Sequence, residues 1–493
     1  MPTSVPQLIL LGNWLLEGKF SEKWAKLKSN KLFWVLSSVF IIHAIGLLYT
    51  TNLKAGWDDV RTKIPLMYLP LIYFSSNPLS KKEIHYVLFS FLIGSFFNIA
   101  WCLLYNKVLH HTEGVREVSR FMSHIRLGFL IDMAIIICIY FMFQFNQIKW
   151  RLLLSALCAY FIIGLYVLGL VTGLANLIIL SILFLIFILF EYNKLVFFGV
   201  TSLFVLGSFY LVNKTKDFYS DNFTIKNEST NQNQLRTPSG RNYEQYHFTN
   251  QVENGYLVTN NIQSIELQKE WNKLAPTDTF NLQTKHNMVR YFTLIRYLSS
   301  KGQLKDSASV NQLTASDIIE ISKGTSNANY INWSFLEKRT YELLYDYFEY
   351  KNDGSVNGHS FTMRFFFLKA ALCAIQENWI FGTGTGDVQN KMDECYNHSD
   401  SPLDKEWHKR PHNQFVTIVV AIGLFGLLIF LISLIYPLIY LWKQLTSIYW
   451  MFLISALISF MFEDTLETQS GLSFFALFNT LFLSEAYYNR NKQ

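Results

Sequence analysis

Leu152-Leu-Leu-Ser-Ala-Leu-Cys-Ala-Tyr-Phe-Ile-Ile-Gly-Leu-Tyr-Val-Leu-Gly-Leu170 contains no Lys, Arg, Asp or Glu, and neither does the run Leu174–Phe190 that follows. A helix crossing the hydrocarbon core of a bilayer needs about 17–25 mostly apolar residues, and these runs meet that length. Lipid offers no partners to backbone N–H and C=O groups, so such runs must close their hydrogen bonds internally, as helices. The chain is 493 residues, 51% hydrophobic and 17% aromatic. Because this apolar content is gathered into runs of membrane length, the fold class read here is an all-α polytopic membrane protein.

Outward from this pair, further spans read approximately as Leu32–Tyr49, Ile64–Phe74, Ile84–Tyr105, Leu127–Phe145, Leu195–Val212, Phe415–Leu441, Ile448–Phe462 and Leu472–Tyr487. That makes about ten transmembrane helices, with one large extracytoplasmic loop between the seventh and the eighth. The segment Ile64–Phe74 is short and carries Pro65 and Pro70. Lys and Arg gather in one set of short loops: Lys19–Lys31, Lys81–Lys82, Lys149–Arg151, Lys194, Lys443 and Arg490–Lys492. The positive-inside bias puts these, and both termini, in the cytoplasm. The opposite face receives 54–63, 106–123, the turn Val171–Gly173, the acidic stretch Glu463–Glu467 and the long insertion. The expected divisions are 1–212, N-terminal helices; 213–411, a periplasmic or extracellular loop of roughly 200 residues, enough for a small domain; and 412–493, C-terminal helices. Within the loop, Trp333–Tyr350 has the spacing of an amphipathic helix.

The net charge of +6 is modest, and no basic, aromatic-interleaved region suggests nucleic acid. Cys102, Cys138, Cys158, Cys373 and Cys395 show no metal or disulfide spacing; four read as small apolar fillers, and Cys395 has no evident partner in its own loop. No cofactor and no metal are expected. Gln7–Leu16 lacks the basic flank and small-residue site of a cleavable signal; it reads as an interfacial piece or the end of a span. Asp132, inside an apolar run, is either functional or paired with a polar group on another helix.

The sharpest local signal is Arg410-Pro411-His412-Asn413-Gln414-Phe415, leading into a span that continues through Gly423-Leu-Phe-Gly426. Pro411 is expected near the first helical turn, where a missing N–H is tolerated. His412 and Asn413 then stand where the long loop enters the membrane. They read either as interfacial residues satisfying the helix start or as polar groups that reach a lipid-linked phosphate. Upstream lie Met363-Arg364-Phe365 and Trp379-Ile-Phe-Gly382-Thr-Gly384-Thr-Gly386-Asp387; downstream lies Glu463-Asp-Thr-Leu-Glu467-Thr-Gln-Ser-Gly471. The glycine turn follows a helix rather than a strand, which excludes a dinucleotide loop. It reads as a tight turn bringing backbone close to a partner, either diphosphate or protein.

These motifs in this order resemble the O-antigen ligase and O-antigen polymerase family, polytopic membrane glycan transferases. The likeness is sharp from about Arg364 to Gly471. It implies transfer of a glycan, without a metal, from an undecaprenyl-diphosphate-linked donor to an acceptor hydroxyl. The acceptor is a lipid A core for a ligase and a growing repeat-unit chain for a polymerase. It also implies the bacterial inner membrane as location, multi-pass, with a periplasmic active face and membrane lipid as neighbour. His412 would be the base that takes the acceptor proton; histidine as a residue type titrates near working pH. Arg364 would bind the diphosphate, since guanidinium forks match phosphate oxygens. Snorkelling from its apolar helix is the plain alternative for Arg364. Arg410, Asn413, Gly384, Gly386, Glu463 and Glu467 are candidates to line the site, although Glu463, Asp464 and Glu467 read first as a solvated turn and only second as a contact to acceptor sugar hydroxyls.

One departure stands out. The family carries another arginine at the outer end of a mid-chain span, and the matching place here, Gly169–Leu174, has none. Ser123-His124-Ile125-Arg126 stands at the outer end of a different span. Arg126, with His124 or Arg120, is expected to supply the missing charge, with interfacial anchoring as the alternative. The rival readings for the whole chain are a lipid-linked glycan transporter or flippase and a non-catalytic polysaccharide assembly protein. The absence of visible repeated halves weighs against a transporter.

Overall fold

The computed structural model describes residues 4–105, 119, 122–192, 194–226, 236–244, 251–352 and 356–492. Arg120 lies outside the described residues. The described chain is mostly helical, and five helical segments are long and apolar enough to cross a membrane: Lys31–Tyr49, Lys81–Leu103, His124–Gln144, Ile148–Val167 and Gln414–Leu441. Val171–Leu185 and Ser447–Phe462 are shorter apolar helices. The expected span 195–212 falls inside a longer helix, Lys194–Phe223.

Two compact units form. One comprises Met1–Lys194, Phe366–Ser401 and Lys405–Gln493; the other comprises Leu195–Phe365 and Pro402–Asp404. In the first, Lys31–Ile45 packs against Pro65–Ser75 and Gln414–Leu441, while Pro65–Ser75 also meets Gln469–Arg490. His124–Gln144 touches Lys81–Leu103, Ile148–Val167, Val171–Tyr192 and Ser447–Phe462, and its interior residues from Ile131 to Cys138 are all buried. Asp132 is fully buried there. It accepts a hydrogen bond from Asn176 Nδ2 at 2.7 Å, and the same amide donates to Ser455 Oγ at 2.9 Å. Of the two readings of Asp132, the polar partner on another helix is thus present, and three helices are tied together through it.

Phe366–Ser401 joins the first unit for a backbone reason. The helix Gln414–Leu441 breaks at Ile422 and Gly423, where φ is −132° and +69°. The freed groups find partners in 379–384: Leu424 N donates to Trp379 O at 2.8 Å, and Phe425 N to Ile380 O at 3.2 Å. In return, Thr383 N donates to Val420 O at 2.8 Å, and Gly384 N to Ala421 O at 3.0 Å. Broken helix is tolerated at membrane depth only where such groups are buried in protein and satisfied. Glycine is required at the break, since a Cβ on Gly423 would stand 2.1 Å from Ile380 O. Gly423→Ala combines that clash with a positive φ, so it is expected to destabilise by well over about 1 kcal/mol and to reduce the yield of monodisperse protein in detergent. Gly426→Ala, whose Cβ would meet the flexible side chain of Ile422, is expected to do less.

The reading of the cysteines is corrected. Cys373 and Cys395 form a disulfide across a sequence separation of 22 residues, with Cα atoms 5.9 Å apart. The sequence hid the pair because one cysteine sits on an apolar helix, Ser360–Glu377, and the other on a polar one, Val388–His398. The folded turn between them brings the two together. Reduction is expected to lower stability by about 2–4 kcal/mol, measured as a fall in unfolding temperature that a Cys373→Ser/Cys395→Ser protein reproduces without reductant.

The second unit has its own core around Trp271, Phe280, Tyr297 and Leu298. It departs from all-α in one hairpin, where Val252–Glu253 pairs antiparallel with Tyr256–Leu257. Glu253 is buried but well supplied: Arg296 Nε donates to it at 2.6 Å, Tyr341 Oη at 2.5 Å and Asn327 Nδ2 at 3.0 Å. The expected amphipathic helix is present as Phe335–Asn352.

Candidate functional site

The N-termini of three helices, His124–Gln144, Gln414–Leu441 and Gln469–Arg490, meet the end of Ser447–Phe462 at one end of the first unit. Helix N-termini carry partial positive charge, so this end favours anions. Asn413 is the cap of Gln414–Leu441, accepting from Val416 N at 3.1 Å and donating to Met461 O at 3.1 Å. Pro411 therefore precedes the helix instead of opening it. The reason is that His412 adopts φ +51°, a turn that helical geometry does not allow.

A left-handed histidine is uncommon, and strain of this kind must be held by its surroundings. Asp464 does the holding. Its Oδ2 accepts from His412 N at 3.2 Å, and its Oδ1 accepts from Thr417 Oγ1 at 2.6 Å. Burial raises the Asp464 carboxyl above its ordinary value, with Thr417 and His412 pulling the other way. The His412 ring is about one-third exposed and lies 5.5 Å from the ring of Phe367. Its Nδ1 faces Glu463 Oε2 at 3.5 Å, longer than a formed hydrogen bond. The other oxygen of Glu463 accepts from Arg126 Nη2 at 2.6 Å. Arg126, Glu463 and His412 thus stand in one line, with the carboxylate in the middle. Sequence separation hid the line, since Arg126 and Glu463 stand 337 residues apart.

Glu467 takes a different place. It is buried and accepts from Lys63 Nζ at 2.8 Å, Arg410 Nη1 at 2.8 Å and Gln414 Nε2 at 3.0 Å. Lys63 also reaches both oxygens of Asp59 at 2.8 Å. Burial pushes the Glu467 carboxyl up, but Lys63 and Arg410 outweigh it and hold it well below the ordinary range. Burial brings Asp59 up to about 6, against the pull of Lys63. Gln414 closes the group by accepting from Leu466 N at 2.7 Å. Glu467 and Arg410 are therefore partners in a buried network beside the histidine turn, and the open reading of a solvated turn does not hold for Glu467. Asp59, Lys63 and Gln414 were not singled out from sequence. Nothing in their spacing announces them: the sequence offered 54–63 only as a short loop, whereas it folds as the helix Leu53–Lys63.

The partner of the glycine turn is protein. Gly386 N donates to Thr50 Oγ1 at 2.9 Å, and Thr385 Oγ1 to His43 O at 2.7 Å. Asp387 accepts from Thr51 N at 2.6 Å, Asn52 N at 2.9 Å and both threonine hydroxyls of 50–51. A Cβ on Gly384 would meet Thr50 at 3.0 Å, and one on Gly386 would meet Asn52 O at 2.2 Å. Gly384 and Gly386 thus let the loop 379–387 seat against 50–56. His124 opens its helix and is half-buried. Arg364 lies on the helix Ser360–Glu377, three residues before Phe367, and is half-buried. Cys373, Glu377 and Cys395 approach one another closely enough to hold a cation, but the disulfide consumes both sulfurs.

Residues 321–431 match the family model described as O-antigen ligase. The resemblance read from the motifs is borne out over that stretch, which contains Arg364, the glycine turn, His412 and Gly423. Arg126, Glu463 and Glu467 fall outside it. No curated protein matches the chain.

Proposed function

We propose that this chain is an O-antigen ligase-like glycosyltransferase of the bacterial inner membrane. It moves a glycan from an undecaprenyl diphosphate carrier to an acceptor hydroxyl on the periplasmic face. The observation that carries the reading is the His412 turn, held by Asp464 and backed by Glu463, inside the stretch that matches the ligase family. The disulfide Cys373–Cys395 supports the periplasmic side, because such bonds persist in oxidising compartments.

In the proposed reaction the acceptor oxygen attacks the anomeric carbon as the bond from that carbon to the diphosphate breaks. His412 takes the hydroxyl proton on Nε2, and the bonding pair leaves with the diphosphate. Glu463, beside Nδ1, orients the imidazole and stabilises the charge it gains, a role usual for carboxylates behind basic histidines. Arg126 neutralises the leaving diphosphate, with the three helix N-termini adding to the same field; the family resemblance gives Arg364 a diphosphate-binding role as well. Arg126 keeps a donor for this, since its Nε has no hydrogen-bond partner among the described residues. About ten spans, with 213–411 exposed to the periplasm, complete the proposed topology.

The transporter reading draws on the buried Asp132–Asn176–Ser455 group. One experiment separates the two. In a strain lacking the gene, lipid-linked glycan accumulates on one face of the membrane, and a glycosidase added outside spheroplasts finds it or does not. Transfer predicts accumulation on the outer, accessible face; transport predicts protected glycan. On a surface-glycan gel from the same strain, single repeats on core indicate a polymerase, and bare core with lipid-linked polymer indicates a ligase.

A further inference from the structure

The helix Val388–His398 turns two faces to different neighbours, all within the first unit. Val388, Met392 and Cys395 are buried on one side, and Cys395 is bonded to Cys373 on the helix Ser360–Glu377. Gln389, Asp393 and Tyr396, spaced as one stripe of a helix, meet the segment that leads into His412. Gln389 Nε2 donates to His408 O at 3.2 Å, and Tyr396 Oη donates to Lys409 O at 2.7 Å. The Tyr396 ring stacks on the His408 ring, with centroids 4.2 Å apart, and Asp393 Oδ1 stands 3.8 Å from His408 Nδ1. Other elements hold the far side of the segment: Glu467 holds Arg410, and Asp464 holds His412 N.

The segment needs both holds. His412 keeps a left-handed φ of +51°, and strain of that kind persists only while the surroundings fix it. The helix that supplies one hold is itself tied down at two places. At its start, Asp387 accepts from Thr51 N and Asn52 N. Toward its end the tie is the disulfide, next in sequence to Tyr396. Phe367, on the same helix as Cys373, lies 6.5 Å from the Tyr396 ring and 5.5 Å from the His412 ring. The disulfide therefore fixes the two rings that flank the segment. The ion pair Lys391–Glu377 also joins these helices, but Glu377 is half exposed, and such pairs are weak.

We propose that Tyr396 is a positioning residue for the base and that the Cys373–Cys395 bond makes this positioning depend on oxidation, an inference that rests on the reading of His412 as that base. In the oxidised protein, Tyr396 and Phe367 hold 408–412 in place. A dithiol attacks at Cys373, the half-buried partner. Two electrons and two protons pass to the protein, which gains two thiols, and the dithiol leaves as its own disulfide. The end of the helix is then released, the hold on 408–409 weakens, and the histidine turn relaxes. Formation of the bond by a disulfide oxidant runs the same step backward and completes the site in an oxidising compartment.

The test is hydrogen exchange of the full-length protein in nanodiscs, with and without dithiothreitol, read on peptides spanning 405–414. Cys102, Cys138 and Cys158 are free, so the reductant acts on one bond. Exchange over 405–414 is expected to rise by about tenfold or more on reduction, with 447–462 unchanged. Tyr396→Phe, which keeps the bond and the ring stack, is expected to raise it in the oxidised protein as well. Cys373→Ser/Cys395→Ser should match reduced wild type and ignore the reductant. On reduction, kcat for glycan transfer should fall about 10–100-fold, with KM for the donor constant. Unchanged exchange over 405–414, in protein that thiol counting shows to be reduced, overturns the proposal. So does an equal rise over 447–462, which would mean general loosening, or wild-type exchange in Tyr396→Phe. The exchange readout separates this inference from the function. Raised exchange with undiminished transfer defeats the role given to His412 and leaves the positioning intact, whereas lost transfer with unchanged exchange defeats the positioning alone.

Discussion

His412→Ala is expected to reach the membrane in wild-type amounts and to transfer glycan about 10²–10⁴-fold more slowly, the usual contribution of a positioned base. The fold should survive, because His412 is held through its backbone N–H, which alanine retains, and its ring is partly exposed. The left-handed φ of +51° taxes any residue with a Cβ, so alanine keeps a strained backbone here as histidine does. Glu463→Gln provides the companion measurement. It keeps the size of the side chain and removes the charge behind Nδ1, so the expected loss is about 10–100-fold, or roughly 1.4–2.8 kcal/mol of barrier. Because Arg126 also loses its ion pair, KM for the donor should shift along with kcat; in His412→Ala the change should fall on kcat. Turnover of a lipid diphosphate-linked glycan by purified protein is the measurement. Wild-type kcat in His412→Ala would falsify the assignment of the base.

Glu467→Ala is expected to unfold the site rather than slow it. Removing this carboxylate leaves Lys63, 1% exposed, and Arg410 to share Asp59 alone. Breaking a buried ion group by deleting one partner costs about 3–5 kcal/mol, because the remaining charges stay desolvated. A large fall in unfolding temperature in detergent is the expected result, with little effect from changing the exposed Glu394 in its place. The acid dependence follows the same network. Glu467, lowered in the folded state, adds stability that is present above its unfolded value of 4.5 and lost as pH falls further. Asp59, raised to about 6, acts oppositely: its proton favours folding below 3.8, and that contribution is lost as pH rises through 6. Asp59→Asn should therefore flatten stability between these two values. A pH series of unfolding temperatures that matched wild type would show that Asp59 is ionised throughout.

Much of the site was legible because its strongest motif is local. Arg410–Gln414 combines a histidine, a capping asparagine and the start of a long apolar run, and short-range chemistry determines what such a stretch does. Arg126 was singled out for its position at a helix start, and the structure places it against Glu463. What it could not announce was its partner. Glu463 read as an acceptor contact or a solvated turn, yet it faces His412; Glu467 read the same way, yet it is buried under two cations. Gly423 was quoted only as part of the span after His412; nothing local announces that the helix breaks there and that the backbone of 379–384 supplies its hydrogen bonds.

Sequence alone determined the class: runs such as Leu152–Leu170 have no stable alternative to helix in lipid, so hydropathy and backbone hydrogen bonding suffice. It also determined where the long insertion gives way to the next apolar helix, at His412 and the cap Asn413. Only the tertiary structure decided which distant residues meet there: Arg126 with Glu463, Asp59 and Lys63 with Glu467, Cys373 with Cys395. These pairings depend on helix packing and on burial, which turns a mild surface attraction into a strong preference. Neither term is written in local spacing, because each depends on segments hundreds of residues away.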